Sequence, residues 1–139
     1  MSDPLLVQYQ VFAQRGMHFG RLYWQSIAFH LVVLLAAAAL FRDLSGMWLS
    51  GALLVAGAAT LLMAFVVSRL WVQESRFEAL LTNLETELRG QGYAAIQIAP
   101  SAGRRGARYA VNLAIGLLGA VLTVAGLIVL ATPAAQSAM

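Results

Sequence analysis

An uncharged run that continues into a charged helix without a break constrains this chain most. Residues 47–68 form 22 consecutive positions with no charged side chain, long enough to cross a hydrocarbon core of about 30 Å. Residues 69–89 then carry three arginines and four glutamates, a mixture typical of a helix in water. No glycine or proline stands between Ala59 and Arg89. We therefore expect one helix that crosses the membrane and continues beyond it.

The composition is that of a membrane protein. Apolar residues make up 60% of the 139 positions and charged residues 11%, whereas soluble domains have roughly 45–50% and 25%. The chain has no cysteine, which excludes disulfides, thiol nucleophiles and cysteine-ligated metals. In a membrane protein, a net charge of +3 indicates which loops lie on the cytoplasmic side. We therefore expect no nucleic-acid partner.

Two further uncharged runs predict two more spans, residues 23–41 and 109–132. The polar turn at residues 42–46 is so short that the helices on either side of it are expected to be antiparallel. The predicted fold is therefore an all-α polytopic membrane protein, a single membrane domain over residues 1–139 with three transmembrane helices.

Residues 5–22 and 69–89 leave the same side of the membrane, and both have apolar residues at the heptad spacing of a coiled coil. These apolar seams are Leu5, Tyr9, Phe12, Gly16, Phe19 and Tyr23 on the first, and Leu70, Phe77, Leu81, Leu84 and Leu88 on the second, which Glu74 interrupts. We predict that the two stretches pair as a cytoplasmic antiparallel helical stalk. A helix lying on the lipid surface is the alternative for residues 5–22.

A two-helix stalk in water buries too little surface to be stable alone, so we expect further copies or another protein. The residues predicted to form an oligomer interface are Phe12, Phe19, Phe77, Leu81, Leu84, Leu88, Gly116 and Gly119. Gly116 is included because it pairs with Ala120, and Gly119 because it pairs with Thr123. Small residues four positions apart, as in each pair, allow close helix packing in lipid. The alternative is that glycine and alanine are simply common in such helices.

Residues 90–108 are predicted to be a basic loop, and residues 91–100 within it form either an edge strand or a loop. Arg104, Arg105 and Arg108 precede the third span, where we expect them to attract anionic lipid headgroups. Eight of the nine arginines lie on the N-terminal side of the membrane, and only Arg42 lies on the other. The positive-inside rule then predicts a cytoplasmic N-terminus and a periplasmic C-terminus. The use of arginine without lysine favours a GC-rich bacterial genome, so we expect a bacterial inner-membrane protein.

The sequence offers little catalytic chemistry. His18 and His30 are 12 residues apart, about 18 Å along one helix, so one copy cannot hold a metal with both. We expect His30 to form a hydrogen bond with a neighbouring helix, and proton or metal chemistry is the alternative. No phosphate-binding loop, hydrolase motif or zinc-protease motif is present. We predict no enzyme activity, no cofactor and no metal.

The layout resembles small bacterial helical-hairpin membrane proteins over residues 5–95. The residues that carry the resemblance are Arg76-Phe77, Leu81, Leu84-Glu85, Leu88 and Tyr93. They are similar to the pattern of SLATT domains and of RipA-like octameric membrane proteins. This resemblance implies a homo-oligomer with cytoplasmic helices around an axis. The third span, residues 109–132, has no counterpart in the two-span plan.

These observations favour a non-catalytic, oligomeric inner-membrane protein that acts as a scaffold or interaction platform through its cytoplasmic helices. One alternative is a triggered pore-forming or membrane-disrupting effector. Another is a small subunit of a larger membrane complex for transport, secretion or energy conversion. The spans have few polar residues, which disfavours a permanently open channel.

Overall fold

The computed structural model of the chain describes residues 4–92 and 102–132, and this part is entirely α-helical. Its three helices are α1 (Pro4–Phe41), α2 (Gly46–Gly90) and α3 (Ala102–Ala131). All three are long and apolar enough to cross a membrane. The predicted all-α class and the three candidate spans are therefore confirmed.

Each of the first two helices is continuous where the sequence predicted a span joined to a polar extension. Helix α1 has 38 residues and begins at Pro4, a position where proline loses no helical hydrogen bond. Helix α2 has 45 residues. Between them the backbone N–H of Leu44 donates to the carbonyl of Phe41 (3.1 Å). Gly46 has a φ of +55°, a conformation that glycine adopts without strain, so the chain reverses within a few residues.

Helix α2 lies in the middle, and α1 and α3 each pack antiparallel along it. Early residues of α1 meet late residues of α2, as Tyr9 and Glu85 do. Ser50, early in α2, meets Gly126, late in α3. Within the described residues α1 and α3 approach each other through side chains such as Tyr23 rather than through their backbones. Helix α2 is therefore the element on which the other two are assembled.

The buried core is small and lies where the three helices are closest. It consists of Tyr23, Ile27 and Val67, with Met63, Trp71, Val111 and Ile115 packed around it. Many apolar side chains point outward instead. Phe29 and Val55, for example, are 72% and 70% exposed. Such a surface is what a lipid-embedded bundle presents, because lipid tails are as apolar as these side chains.

Glycines set the packing of α2 against α3. A methyl group added at Gly119 would place its carbon 2.9 Å from Cγ of Leu61, and one at Gly126 would lie equally close to Leu54. At Gly57 the glycine is on α2 instead, and it faces the backbone of Thr123 on α3. The two helices thus approach at small residues on both sides.

The two glycines of α3 that were predicted at an oligomer interface lie in different surroundings. Gly119 is buried against Leu61 of the same chain. Gly116 has no atom of another helix within 4 Å of where a side chain would begin. The small-residue face at Gly119 therefore packs on α2, and the interface role of Gly116 stays a prediction.

The start of α3 also differs from the prediction. The helix begins at Ala102, so the arginines assigned to the end of a loop belong to its first turns. An edge strand or a loop was predicted for residues 91–100, of which residues 93–100 lie outside the described residues.

Candidate functional site

Four side chains meet where all three helices converge, and we call this group the polar junction. Its members are Tyr23 of α1, Glu74 of α2, and Arg108 and Asn112 of α3. Tyr23 is fully buried, and Glu74 and Arg108 are only 6% and 7% exposed. Charged side chains are almost never this buried unless they are paired, so the junction is a specific arrangement.

The centre of the junction is an ion pair. Nη1 of Arg108 donates to Oε2 of Glu74, and both side chains are 8% exposed. Gly20 of α1 makes room for the carboxylate, because a methyl carbon at position 20 would lie 2.9 Å from Oε1 of Glu74. Removing one partner of such a pair leaves an uncompensated buried charge, which costs about 3–5 kcal/mol.

Tyr23 connects α1 to this pair. The centre of the Arg108 guanidinium lies 5.3 Å from the centroid of the Tyr23 ring, within cation–π range. The Tyr23 hydroxyl lies 3.3 Å from the backbone carbonyl of Arg108 and 3.1 Å from Oδ1 of Asn112. Its single proton can be donated to either oxygen of α3. Nε of Arg108 is buried without a hydrogen-bond partner in the described part of the chain.

The junction gives Arg108 a different role from the one predicted. Arg108 was expected to attract lipid headgroups, but its guanidinium is buried and paired with Glu74. The side chains of Arg104 and Arg105 lie outside the described residues, so their headgroup role stays a prediction. The polar interruption that Glu74 makes in the α2 seam is explained by its partner on α3.

Aromatic side chains hold the N-terminal part of α1 against the C-terminal part of α2. The Phe77 ring stacks on Phe19 with centroids 5.5 Å apart and is tilted against Phe12 at 6.1 Å. The Tyr9 hydroxyl donates to Oε1 of Glu85 (3.2 Å). The two apolar seams therefore face each other, as the spacing predicted.

This pairing also changes what the predicted interface residues do. Phe12, Phe19 and Phe77 contact one another within one chain rather than across copies. Leu88 is 2% exposed, and Leu81 and Leu84 are half-buried on the same face of α2. A contact of these residues with a further copy stays a prediction.

Polar side chains farther along the bundle are satisfied by neighbouring helices. Oγ1 of Thr60 donates to the carbonyl of Ala56 (2.7 Å) and lies 3.2 Å from Nε2 of His30. The expected contact of His30 with a neighbouring helix is confirmed. Ser50 donates to the carbonyl of Gly126 (2.8 Å).

The chemistry of the junction is structural pairing rather than activation of a nucleophile. The carboxylate of Glu74 is engaged by Arg108, and the Tyr23 hydroxyl is directed at α3. Over residues 4–92 and 102–132, no group of three or more histidine, aspartate or glutamate side chains is arranged to hold a metal ion. The junction joins three helices at one level of the bundle.

Comparison with known proteins finds no matching family model, no matching curated protein and no matching solved structure. The resemblance to SLATT domains and RipA-like proteins over residues 5–95 therefore stays a prediction.

Proposed function

We propose that this protein is a non-catalytic bacterial inner-membrane protein that associates with further copies of itself and serves as an interaction platform. The platform is a stalk formed by residues 4–22 of α1 and 69–90 of α2. The observation that carries the proposal is a set of apolar side chains on this stalk that the described residues leave exposed.

The lengths of the helices support a stalk outside the membrane. Helix α2 has 45 residues and is therefore about 67 Å long, more than twice the hydrocarbon thickness of about 30 Å. Tilts of membrane helices reach about 40°, too little to bury this length. The charges of α2 are confined to residues 69–89, which marks that end as the part in water. Residues 4–22 pack along it through Phe12 and Phe19.

The outward side of α1 carries four exposed apolar residues, Leu6, Val7, Val11 and Met17, which we call the outer stalk face; the exposed Gln10 and Gln14 lie between them. The exposed fractions of the four apolar residues are 37%, 45%, 39% and 69%, and no charged residue occurs in α1 before Arg15. Burying apolar surface gains about 25 cal/mol per Å², so these exposed side chains favour contact with a partner. The exposed side of α2 carries Arg76, Glu87 and Arg89, whereas the outer stalk face has no formal charge.

A second copy of this chain is the proposed occupant of the outer stalk face. A stalk of two short helices has too small a core to be stable in water by itself. Two copies related by a two-fold axis bring the same surface together from both sides, and an uncharged face allows this without like-charge repulsion. This contact adds to the internal seam of Phe12, Phe19 and Phe77 and leaves that seam intact.

Single-cysteine variants test this proposal directly, because the chain has no cysteine of its own. In bilayers, Val11→Cys is expected to form an intermolecular disulfide on mild oxidation. Asn83→Cys, which is exposed on α2 at about the same level of the stalk, is the matched control and is expected to cross-link several-fold less. Equal cross-linking of both variants, or a parent chain that is monomeric by mass in nanodiscs, would contradict self-association. A stable partner of another kind, found after purification from native membranes, would favour the subunit alternative.

The proposed orientation places the stalk in the cytoplasm. It rests on the arginine distribution, with Arg42 alone on the opposite side. Reporter fusions at Ser45 and Met139 are expected to read periplasmic, and a fusion at Ser101 cytoplasmic. A cytoplasmic signal at Met139 would contradict a third membrane crossing.

The polar groups of the bundle argue against the pore-forming alternative. His30 contacts Thr60, and Ser50 donates to the backbone of Gly126, so these polar atoms are paired between helices rather than available to line water. A pore-forming effector is expected to stop growth when it is expressed and triggered. A platform protein is expected to leave the membrane potential of expressing cells unchanged, and a dye that reports that potential separates the two.

A further inference from the structure

An apolar groove of about 490 Å³ lies at the end of the bundle away from the polar junction. One wall is the last part of α1, between Leu31 and Arg42, and the other is α3 at Leu118 and Leu122. Leu53 and Ala56 of α2 form the floor. Since α1 and α3 approach each other through side chains near Tyr23, the groove occupies the gap that remains between them farther along.

The dimensions of the groove fit a single hydrocarbon chain. The wall from Leu31 to Arg42 covers about 16 Å of helix axis, which is half of a hydrocarbon core of about 30 Å and so one leaflet. Dividing 490 Å³ by that length gives a mean cross-section of about 30 Å². A space of this length and width suits an extended apolar chain that lies along the helices.

The one charged residue of the lining stands at the end of the groove. Arg42 follows the last residue of α1 and lies at the turn into α2. Its side chain is exposed, and it forms no ion pair or hydrogen bond with other described residues. A guanidinium binds phosphate oxygens through two parallel hydrogen bonds. The neighbouring Asp43 is also exposed and is not part of the lining.

We propose that this groove binds one acyl chain of an anionic phospholipid from the leaflet at the α1–α2 turn, with the lipid phosphate at Arg42. The inference rests on the membrane embedding of the three helices and is independent of self-association. It concerns the leaflet opposite to the one expected to meet Arg104 and Arg105. The site holds a lipid by the fit of its chain and by the charge at its mouth.

Retention of lipid by the purified full-length chain tests the site. The chain is reconstituted in vesicles of equimolar phosphatidylglycerol and phosphatidylcholine, extracted in mild detergent, and weighed with its bound lipid by native mass spectrometry. The parent is expected to retain one phospholipid, with at least about a threefold preference for phosphatidylglycerol. Ala38→Trp fills the groove and is expected to abolish retention. Ala36→Trp, two positions away on the same helix and outside the lining, is the matched control and is expected to retain the lipid.

Two further measurements keep the proposal falsifiable if Ala38→Trp fails to fold. Arg42→Gln is expected to keep the bound lipid but to lose the preference for phosphatidylglycerol. In the unmodified chain, a phosphatidylglycerol with a diazirine in its acyl chain is expected to label the lining around Leu122 in preference to Phe29, which points outward on α1. The proposal is overturned if the parent retains no lipid, if both tryptophan variants behave alike, if labelling is uniform, or if a neighbouring copy cross-links into the groove.

Discussion

The substitution Gly57→Ala adds one methyl group where α2 and α3 are closest. Its carbon would lie 2.8 Å from the backbone nitrogen of Thr123 and 3.1 Å from the backbone carbonyl oxygen of Gly119. Ordinary contact begins at 3.4 Å, so the first distance is about 0.6 Å too short. Both atoms belong to the backbone of α3 and cannot rotate aside. The helices must therefore separate, and contacts such as that of Ser50 with Gly126 lengthen with them.

The size of the effect follows from two opposing terms. Forcing a methyl group into a packed interface costs about 1–3 kcal/mol, whereas replacing glycine by alanine inside a helix gains up to about 1 kcal/mol. Gly51→Ala is the matched control, because position 51 is also in α2 and has no atom within 4 Å of the added carbon. Gly51→Ala is therefore expected to show only the gain in stability from replacing glycine by alanine in a helix. The two variants are therefore expected to differ by about 1–3 kcal/mol, with Gly57→Ala the less stable.

Thermal unfolding of both variants in the same detergent, followed by far-UV circular dichroism and by loss of the monodisperse peak, measures this difference. The melting temperature of Gly57→Ala is expected to lie several degrees below that of Gly51→Ala. A melting temperature for Gly57→Ala equal to or above that of Gly51→Ala would refute the argument. It would mean that the α2–α3 distance is not set by backbone contact at this position.

Further substitutions test the polar junction and the aromatic contact of Phe19 with Phe77 in the same unfolding assay. Glu74→Leu leaves the buried Arg108 guanidinium unpaired and is expected to cost about 3–5 kcal/mol. Adding Arg108→Leu should restore most of this loss of stability. A double variant no more stable than Glu74→Leu alone would contradict the pairing. Tyr23→Phe keeps the ring under the guanidinium but removes the hydroxyl, so a loss of about 1 kcal/mol is expected, and no loss would show that this hydrogen bond contributes nothing. Phe77→Ala is expected to cost about 2 kcal/mol because the ring is only half-buried. The control Leu80→Ala, at an exposed position, is expected to cost less than about 0.5 kcal/mol. Equal losses would argue against a stabilising contact between Phe77 and the aromatic rings of α1.

The sequence predicted what local patterns determine. Uncharged runs located the three helices, and the absence of glycine and proline between Ala59 and Arg89 predicted that α2 is continuous. Heptad spacing also identified the faces on which α1 and α2 contact each other, since Phe19 and Phe77 do meet. These features depend on residues close together in the chain, or on one repeated spacing.

Partners across the bundle were not predictable in the same way. A small residue such as Gly119 indicates that something packs closely, but its pattern is the same whether the neighbour is α2 or another copy. Glu74 and Arg108 are 34 positions apart, and each was explained separately, one as an interruption and the other as a headgroup contact. Each charge is costly to bury alone in an apolar setting. Two such charges at matching depths of antiparallel helices are the signal that would have found the pair.

The central position of α2 has a consequence for the order in which the chain is made. Since α1 and α2 precede α3 in the chain, Glu74 is synthesised before Arg108, the residue that pairs with it. A hairpin of α1 and α2 alone therefore has one uncompensated carboxylate on the side where α3 packs. Packing of α3 supplies the missing charge, so the last helix completes the polar junction that the first two begin.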